Sequence, residues 1–147
     1  MRGKVANQVG AICFRANPDR ILEVLLITTR ETHRWTIPKG WPIQGLQPHE
    51  VAEREAWEEA GVRGNAKKKP YGYYTYLKRI KNNRSIQCVV QAHLLQVKKV
   101  RFTFPECRER VLIWLPPTEA SSRVPERQLK SLISGLDAKF SSGDTGK

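Results

Sequence analysis

Apolar positions along the chain change period several times, and each change marks an element. "QVGAICF" (8–14) and "ILEVLLITT" (21–29) are dense in β-formers and flank "RANPDR", whose Asn17-Pro18-Asp19 cluster signals a turn. Together they predict a β-hairpin. "RWTIPKGWPIQGLQPHE" holds three prolines and two glycines in 17 residues and reads as a structured loop. A helix follows from about Pro48 to Ala60, with proline suited to its first turn and Gly61 to the position just past its end. "YGYYTYL" and "SIQCVVQAHLLQV" read as two long strands joined by the basic turn "KRIKNNR". "RVLIWL" is a further strand, stopped by Pro116-Pro117, and "TEASSRV" a short helix. Leu129, Leu132, Ile133, Leu136 and Phe140 then follow the spacing of one face of a last, amphipathic helix. The expected organisation is one domain over residues 1–140 and a disordered tail, 141–147. Strands mixed with helices predict an α/β fold, a sheet sandwiched between helices.

Composition narrows the class. There are 147 residues, 39% of them hydrophobic, with 26 Lys+Arg against 14 Asp+Glu, a net charge of +12. That is enough chain to bury a core. The charge points to an anionic partner: nucleic acid, membrane surface or a phosphorylated small molecule. Cys13, Cys88 and Cys107 form no C-x-x-C pair, and an odd count argues against a disulfide framework. Cys13 and Cys88 sit in apolar runs and are expected as buried thiols in a reducing compartment. The apolar run near the start is too short for a signal core or a membrane span, so the expectation is a soluble, cytoplasmic protein without a membrane partner.

The carboxylates are distributed unevenly. Glu50, Glu53, Glu55, Glu58 and Glu59 fall within ten positions of an otherwise basic chain. Glu55, Glu58 and Glu59 are related by i, i+3 and i+4 and share one helix face, while Ala52, Ala56 and Ala60 form a small apolar stripe opposite. A solvated acidic face is the plainer reading of three acids taken alone. Glu55 and Glu59 nevertheless repel, and Arg54, four residues from both Glu50 and Glu58, is too little to neutralise the face. Hard oxygen ligands so spaced would suit Mg²⁺ or Mn²⁺, with water and phosphate completing the shell.

"GWPIQGLQPHEVAEREAWEEAGV" (40–62) resembles the Nudix box, G-x5-E-x7-R-E-U-x-E-E-x-G-U, U being bulky and aliphatic. Gly40, Arg54, Glu55, Glu58, Glu59, Gly61 and Val62 match at the required spacing, and Ala56 fills the first U position with a smaller side chain. Two departures stand out. Leu46 occupies the position of the box's first Glu, a structural partner of the box Arg in the family, which leaves Arg54 to pair with Glu50 or Glu58. Gln8 stands where the inositol-pyrophosphate members carry Arg. The resemblance implies an α/β/α sandwich with a mixed sheet and hydrolysis of a phosphoanhydride bond with a divalent ion, Mg²⁺ or Mn²⁺. It further implies that Glu55, Glu59 and the Gly40 carbonyl hold the metal. Glu58 and Arg54 are the catalytic candidates, Glu58 to accept the attacking water's proton; Glu106 and Glu109 are its rivals.

"VLLITTRETHRWTIPKG" is similar to the loop preceding the box in diphosphoinositol polyphosphate phosphohydrolases and diadenosine polyphosphate hydrolases, and the "PKGW" form resembles bacterial members. Thr28, Thr29, Arg30 and Lys39 are thereby expected to bind phosphates, joined by Lys81 and Arg84 from the basic turn. Arg108 and Arg110, in "ECRER", add further positive charge. The expected substrate is a polyphosphorylated small molecule. The alternatives are the 5′ triphosphate of RNA, or an inactive module that binds polyanions. Tyr74 and Tyr76 are expected on one face of their strand, Tyr71 and Tyr73 on the other. His33, His49 and His93 lack metal-ligand spacing.

Overall fold

The computed structural model describes residues 5–141, so the expected tail lies, from residue 142 on, outside the described residues. The predicted hairpin is β1 (Val5–Ala16) and β2 (Leu22–Thr28), paired antiparallel. Its turn closes where the Asn17 side chain accepts the N–H groups of Asp19 and Ile21 at 2.8 and 3.0 Å. The loop after it is more regular than expected. It contains β3 (Trp35–Thr36) and β4 (Lys39–Gly40), two-residue strands too short to leave a periodic signature. Helix α1 spans Pro48–Ala60, as predicted. Then come β5 (Val62–Ala66), β6 (Gly72–Arg79), β7 (Ser85–Val100), β8 (Leu112–Leu115), α2 (Pro117–Arg123) and α3 (Arg127–Ser141).

Among the described residues, eight strands form one mixed sheet. Its centre is the parallel pair β1–β7, from Val5 beside Gln87 to Phe14 beside Gln96. On its other edge β7 pairs antiparallel first with β6 and then with β5, while β8 pairs with β2. Successive residues of a strand point to opposite faces, and here both faces are apolar. Val9, Ala11, Cys13, Leu25 and Ile27 face α1, where Val51, Ala52, Ala56 and Ala60 close the core. Ile12, Phe14, Val24 and Leu26 face α2 and α3, meeting Ala120, Leu129, Ile133 and Leu136. A strand buried on both sides reads as a continuous apolar run, as "GAICF" and "VLLI" do. The fold is therefore the expected mixed sheet between helices.

Strand β5 has no counterpart in the sequence pattern. Of its five residues only Val62 is a strong β-former, and Gly64 and Asn65 argue against a strand. It pairs with the free edge of β7 through a bulge at Arg63/Gly64, and Gly64 lies so close to the Gln96 carbonyl that a Cβ would collide. Tyr71 also departs from the alternation. It precedes β6, and its hydroxyl donates to the Leu132 carbonyl at 2.7 Å, so it faces α3 with Tyr74 and Tyr76 while Tyr73 is exposed. Cys13 and Cys88 are buried free thiols, as expected. Among the described residues no helix is long and apolar enough to cross a membrane.

Helix α1 ends at Gly61, which adopts φ 69° while its N–H donates to the Trp57 carbonyl at 3.0 Å. A Cβ there would strike the Phe104 ring and the Arg101 carbonyl. Left-handed backbone costs a non-glycine residue roughly 1–2 kcal/mol before any collision. Gly61→Ala should therefore lower unfolding free energy by at least that amount, measured by urea denaturation.

Candidate active site

The five clustered carboxylates of α1 separate into different tasks. Glu50 accepts the Gln47 N–H at 2.8 Å and caps the helix. Glu53 accepts the Ala66 N–H at 2.8 Å and ties α1 to β5. Glu55 and Glu59 turn toward β4. Strand β4 reaches them because Lys39 and Gly40 pair with Gly10 and Val9 of β1, laying the loop over the end of the helix face. Gly40 sits against the Glu55 carboxyl so closely that any Cβ would overlap it. The absence of a side chain at position 40 is thus what lets backbone and carboxylate meet.

Glu59 is 7% exposed. One of its oxygens accepts the Lys39 backbone N–H at 3.2 Å, and the other faces Arg110 Nη2 at 3.4 Å. The Arg110 side chain is itself only 8% exposed. Its Nη2 also meets Glu106 at 2.9 Å, its Nε donates to Glu106 at 2.9 Å, and its Nη1 donates to the Thr28 carbonyl at 3.0 Å. Burial still raises the Glu59 pKa, against the opposing pull of Arg110 and Lys39. Glu55 is pushed up to about 8 by burial first, then by the charge of Glu59, which lies within hydrogen-bond reach, and by Glu58 and Glu106. The loop carrying Glu106 is docked on the helix, its N–H donating to the Glu58 carbonyl at 3.0 Å.

The other expected site residues fall in several places. The Thr28 hydroxyl is buried and accepts the Val111 N–H at 2.9 Å. Thr29 is hydrogen-bonded to Thr32 at 2.7 Å and accepts the Arg34 N–H at 3.0 Å, so both threonines serve the loop. Arg30 is exposed and pairs with Glu109 at 3.1 Å. Lys81 and Arg84 are exposed in the β6–β7 turn. Gln91 of β7 lies beside Val9, itself beside Gly40; at the rise of an extended strand, Ser85, where β7 begins, is about 20 Å from that level. These two cations do not join the carboxylates. Arg54 is exposed, and among the described residues it pairs with neither Glu50 nor Glu58. Leu46, in place of an acid, packs against the α1-side core. Arg110 is the residue whose role the sequence concealed: expected as one more free cation, it is the buried partner of Glu59. Its i, i+4 relation to Glu106 was the available signal.

Among the described residues no three His, Cys, Asp or Glu side chains converge as metal ligands. The pair Glu55–Glu59 nonetheless fits Mg²⁺ or Mn²⁺. Such ions take one or two protein carboxylates and fill the remaining positions with water and substrate phosphate. The raised Glu55 pKa reflects burial first and then the crowding of Glu59, Glu58 and Glu106. The Gly40 backbone is pressed against Glu55, so its carbonyl is a candidate neutral oxygen ligand beside the pair.

A helix of clustered carboxylates under a glycine-bearing strand, on a sandwiched mixed sheet, defines the class. Residues 6–133 match the model of the NUDIX domain, and the chain belongs to that family. It is 31% identical over 104 residues to "Nudix hydrolase 13, mitochondrial" of Arabidopsis thaliana, covering 67% of this chain and 52% of that one. It is 40% identical over 58 residues to "Diphosphoinositol polyphosphate phosphohydrolase 3-alpha" of Mus musculus, covering 39% of this chain and 34% of that one. The chain spans about half the length of the Arabidopsis relatives that it matches at 30–31% identity. A crystal structure of a C. elegans Ap4A hydrolase binary complex shares the fold, with TM-score 0.71 and 19% identity over 93% of this chain and 98% of that one.

Two outcomes follow from the electrostatics. A carboxyl whose folded pKa lies above its unfolded value holds its proton more tightly in the fold. Stability from protonated Glu55 is therefore complete below the unfolded value, about 4.3, and is lost as pH rises toward about 8. In chelator, the melting temperature should fall between about pH 5 and pH 8.5, and Glu55→Gln should flatten that fall. Arg110→Ala removes the cation paired with Glu59 and leaves it only the charge of Lys39, a change that costs about 3 kcal/mol for a buried pair. Urea unfolding of Arg110→Ala, Glu59→Gln and the double variant should show the double recovering part of that loss.

Proposed function

We propose that this protein is a divalent-metal-dependent pyrophosphohydrolase of small, highly anionic substrates: dinucleoside polyphosphates, diphosphoinositol polyphosphates or nucleotides. The observation that carries this reading is the meeting of Glu55 with the Gly40 backbone and of Glu59 with the Lys39 N–H beside it. The names of the similar mouse and C. elegans proteins, a diphosphoinositol polyphosphate phosphohydrolase and an Ap4A hydrolase, support the substrate class. When bound, the divalent ion supplies a stronger nucleophile from water and offsets charge on the phosphate oxygens. The chain's own residues do the rest. The Lys39 N–H and Arg110 hold Glu59 in one orientation. Glu58 lies close enough to raise the pKa of Glu55 and pairs with no cation among the described residues, so it would accept the water's proton. Exposed Arg30, paired with Glu109, would draw the substrate's outer phosphates. The excess of Lys and Arg favours polyanions at a distance.

A second reading is an RNA 5′ end as substrate. It is favoured by the exposed cations Lys67, Lys68 and Lys69, which follow β5, and Lys98, Lys99 and Arg101 at the end of β7.

Phosphate release should be followed for ADP-ribose, ATP, diadenosine tetraphosphate, a diphosphoinositol polyphosphate and 5′-triphosphate RNA, with Mg²⁺, Mn²⁺ or chelator. Turnover should require the metal and rise with substrate charge, and salt should weaken it most for the most charged substrate. Glu58→Gln should lower kcat about 10²–10⁴-fold. Glu59→Gln, which keeps an oxygen for the Lys39 N–H, should abolish metal-dependent turnover. Near-normal activity in Glu59→Gln would overturn the site, and a clear preference for the RNA would select the second reading.

A further inference from the structure

Helix α1 covers only part of the sheet face on its own side, and the remainder is open. Strand pairing sets three rows across β1, β7 and β6: Val9–Gln91–Tyr73, Asn7–Val89–Thr75 and Val5–Gln87–Leu77. Alternation puts all nine residues on one face, the face on which Val9 joins the α1-side core. None of the nine is charged. Val5, Tyr73 and Leu77 are large apolar residues left 55%, 55% and 69% exposed. Where this face meets the start of α1 there is a groove of about 390 Å³, whose walls include Asn7, Val9, Val89, Tyr73, Pro42 and Leu46. No charged residue lines it. Leu46, the departure from the box acid, keeps the groove wall apolar.

Apolar surface gathered in one place marks a contact surface. Its chemistry selects the partner. A phosphate or nucleic acid finds no cation on these rows. A second copy of the chain, repelled elsewhere by a net charge of +12, meets no like charge on the face itself. The two ends of the face are oppositely charged. Arg79, Lys81 and Arg84 are exposed in and beside the β6–β7 turn, and among the described residues none of them is in an ion pair. Exposed Glu50 stands at the other end, in the first turn of α1. From Tyr73 to Arg79 the strand runs about 20 Å. A two-fold axis lying across the strands through the middle row reverses one copy over the other. Each basic turn then meets the other copy's Glu50 end, and Tyr73 of each copy lies over Leu77 of the other. We propose that this face joins two copies of the chain in that reversed arrangement, with Tyr73 and Leu77 as its apolar anchors.

The test is sedimentation equilibrium of the full chain from about 1 to 100 µM, at low and high salt. The mass should rise with concentration from 16.9 kDa toward twice that value. Tyr73→Lys and Leu77→Lys change exposed side chains; both should melt as the wild type does and weaken association at least ten-fold. Arg79→Glu should weaken it several-fold, and more at low salt than at high. A mass that stays at one chain over the whole range would overturn the proposal. So would association that Tyr73→Lys and Leu77→Lys leave unchanged, which would place the contact elsewhere. Association lost in the two lysine variants but indifferent to both salt and Arg79→Glu would overturn the reversed arrangement. A monomeric wild type that binds the apolar dye ANS, and loses it in Tyr73→Lys, would assign the face to a different partner and exclude the second copy.

Discussion

Helix α1 carries a buried carboxylate, Glu59, and supplies no cation to it. Both of its oxygens are answered from elsewhere in the chain, by the Lys39 N–H of β4 and by Arg110 just ahead of β8. An unanswered buried charge would cost several kcal/mol, so the helix, the loop before it and the loop after β7 have to assemble together. Arg110 joins the parts: one guanidinium spans Glu59, Glu106 and the Thr28 carbonyl at the end of β2. Gly40 is the other half of the constraint, since only a residue without a side chain lets β4 lie against Glu55.

These contacts restrain the site without neutralising it. Arg110 is shared between two carboxylates, and among the described residues no cation pairs with Glu55. Burial and repulsion therefore accumulate on Glu55, whose pKa reaches about 8. The site keeps part of its negative charge unanswered, and a divalent ion is the partner that would discharge it. The excess of Lys and Arg is spread over exposed strand ends and turns, where it acts through long-range attraction. Arg110 and Lys39 are exceptions: the Arg110 side chain is buried, and Lys39 is a partly buried cation whose ammonium donates to the Thr36 hydroxyl at 3.4 Å.

Much of the fold was legible in the residue pattern. Helix α1 was bounded to the residue because proline and glycine punctuate its ends, and the hairpin because Asn17 and Pro18 interrupt two apolar runs. Strand β5 was not legible, since its existence depends on the free edge of β7 and not on its own side chains. Strands β3 and β4 escaped for a related reason: two residues cannot display a period, and each pairs only because its partner strand is already in place.

The site divides the same way. Sequence alone determined that Glu55, Glu58 and Glu59 share a face, because i, i+3 and i+4 spacing is a property of the helix itself. It also determined that a glycine would lie at position 40 ahead of that helix. Only the tertiary structure decided which carboxylates meet the glycine, which arginine is buried and which remains outside. Arg110 and Arg54 are chemically identical, and local sequence leaves both as cations near acids. One is enclosed by β2, α1 and the loop after β7, while the other stays on the solvent side of α1. Burial depends on what packs from distant parts of the chain, and no local pattern carries that information.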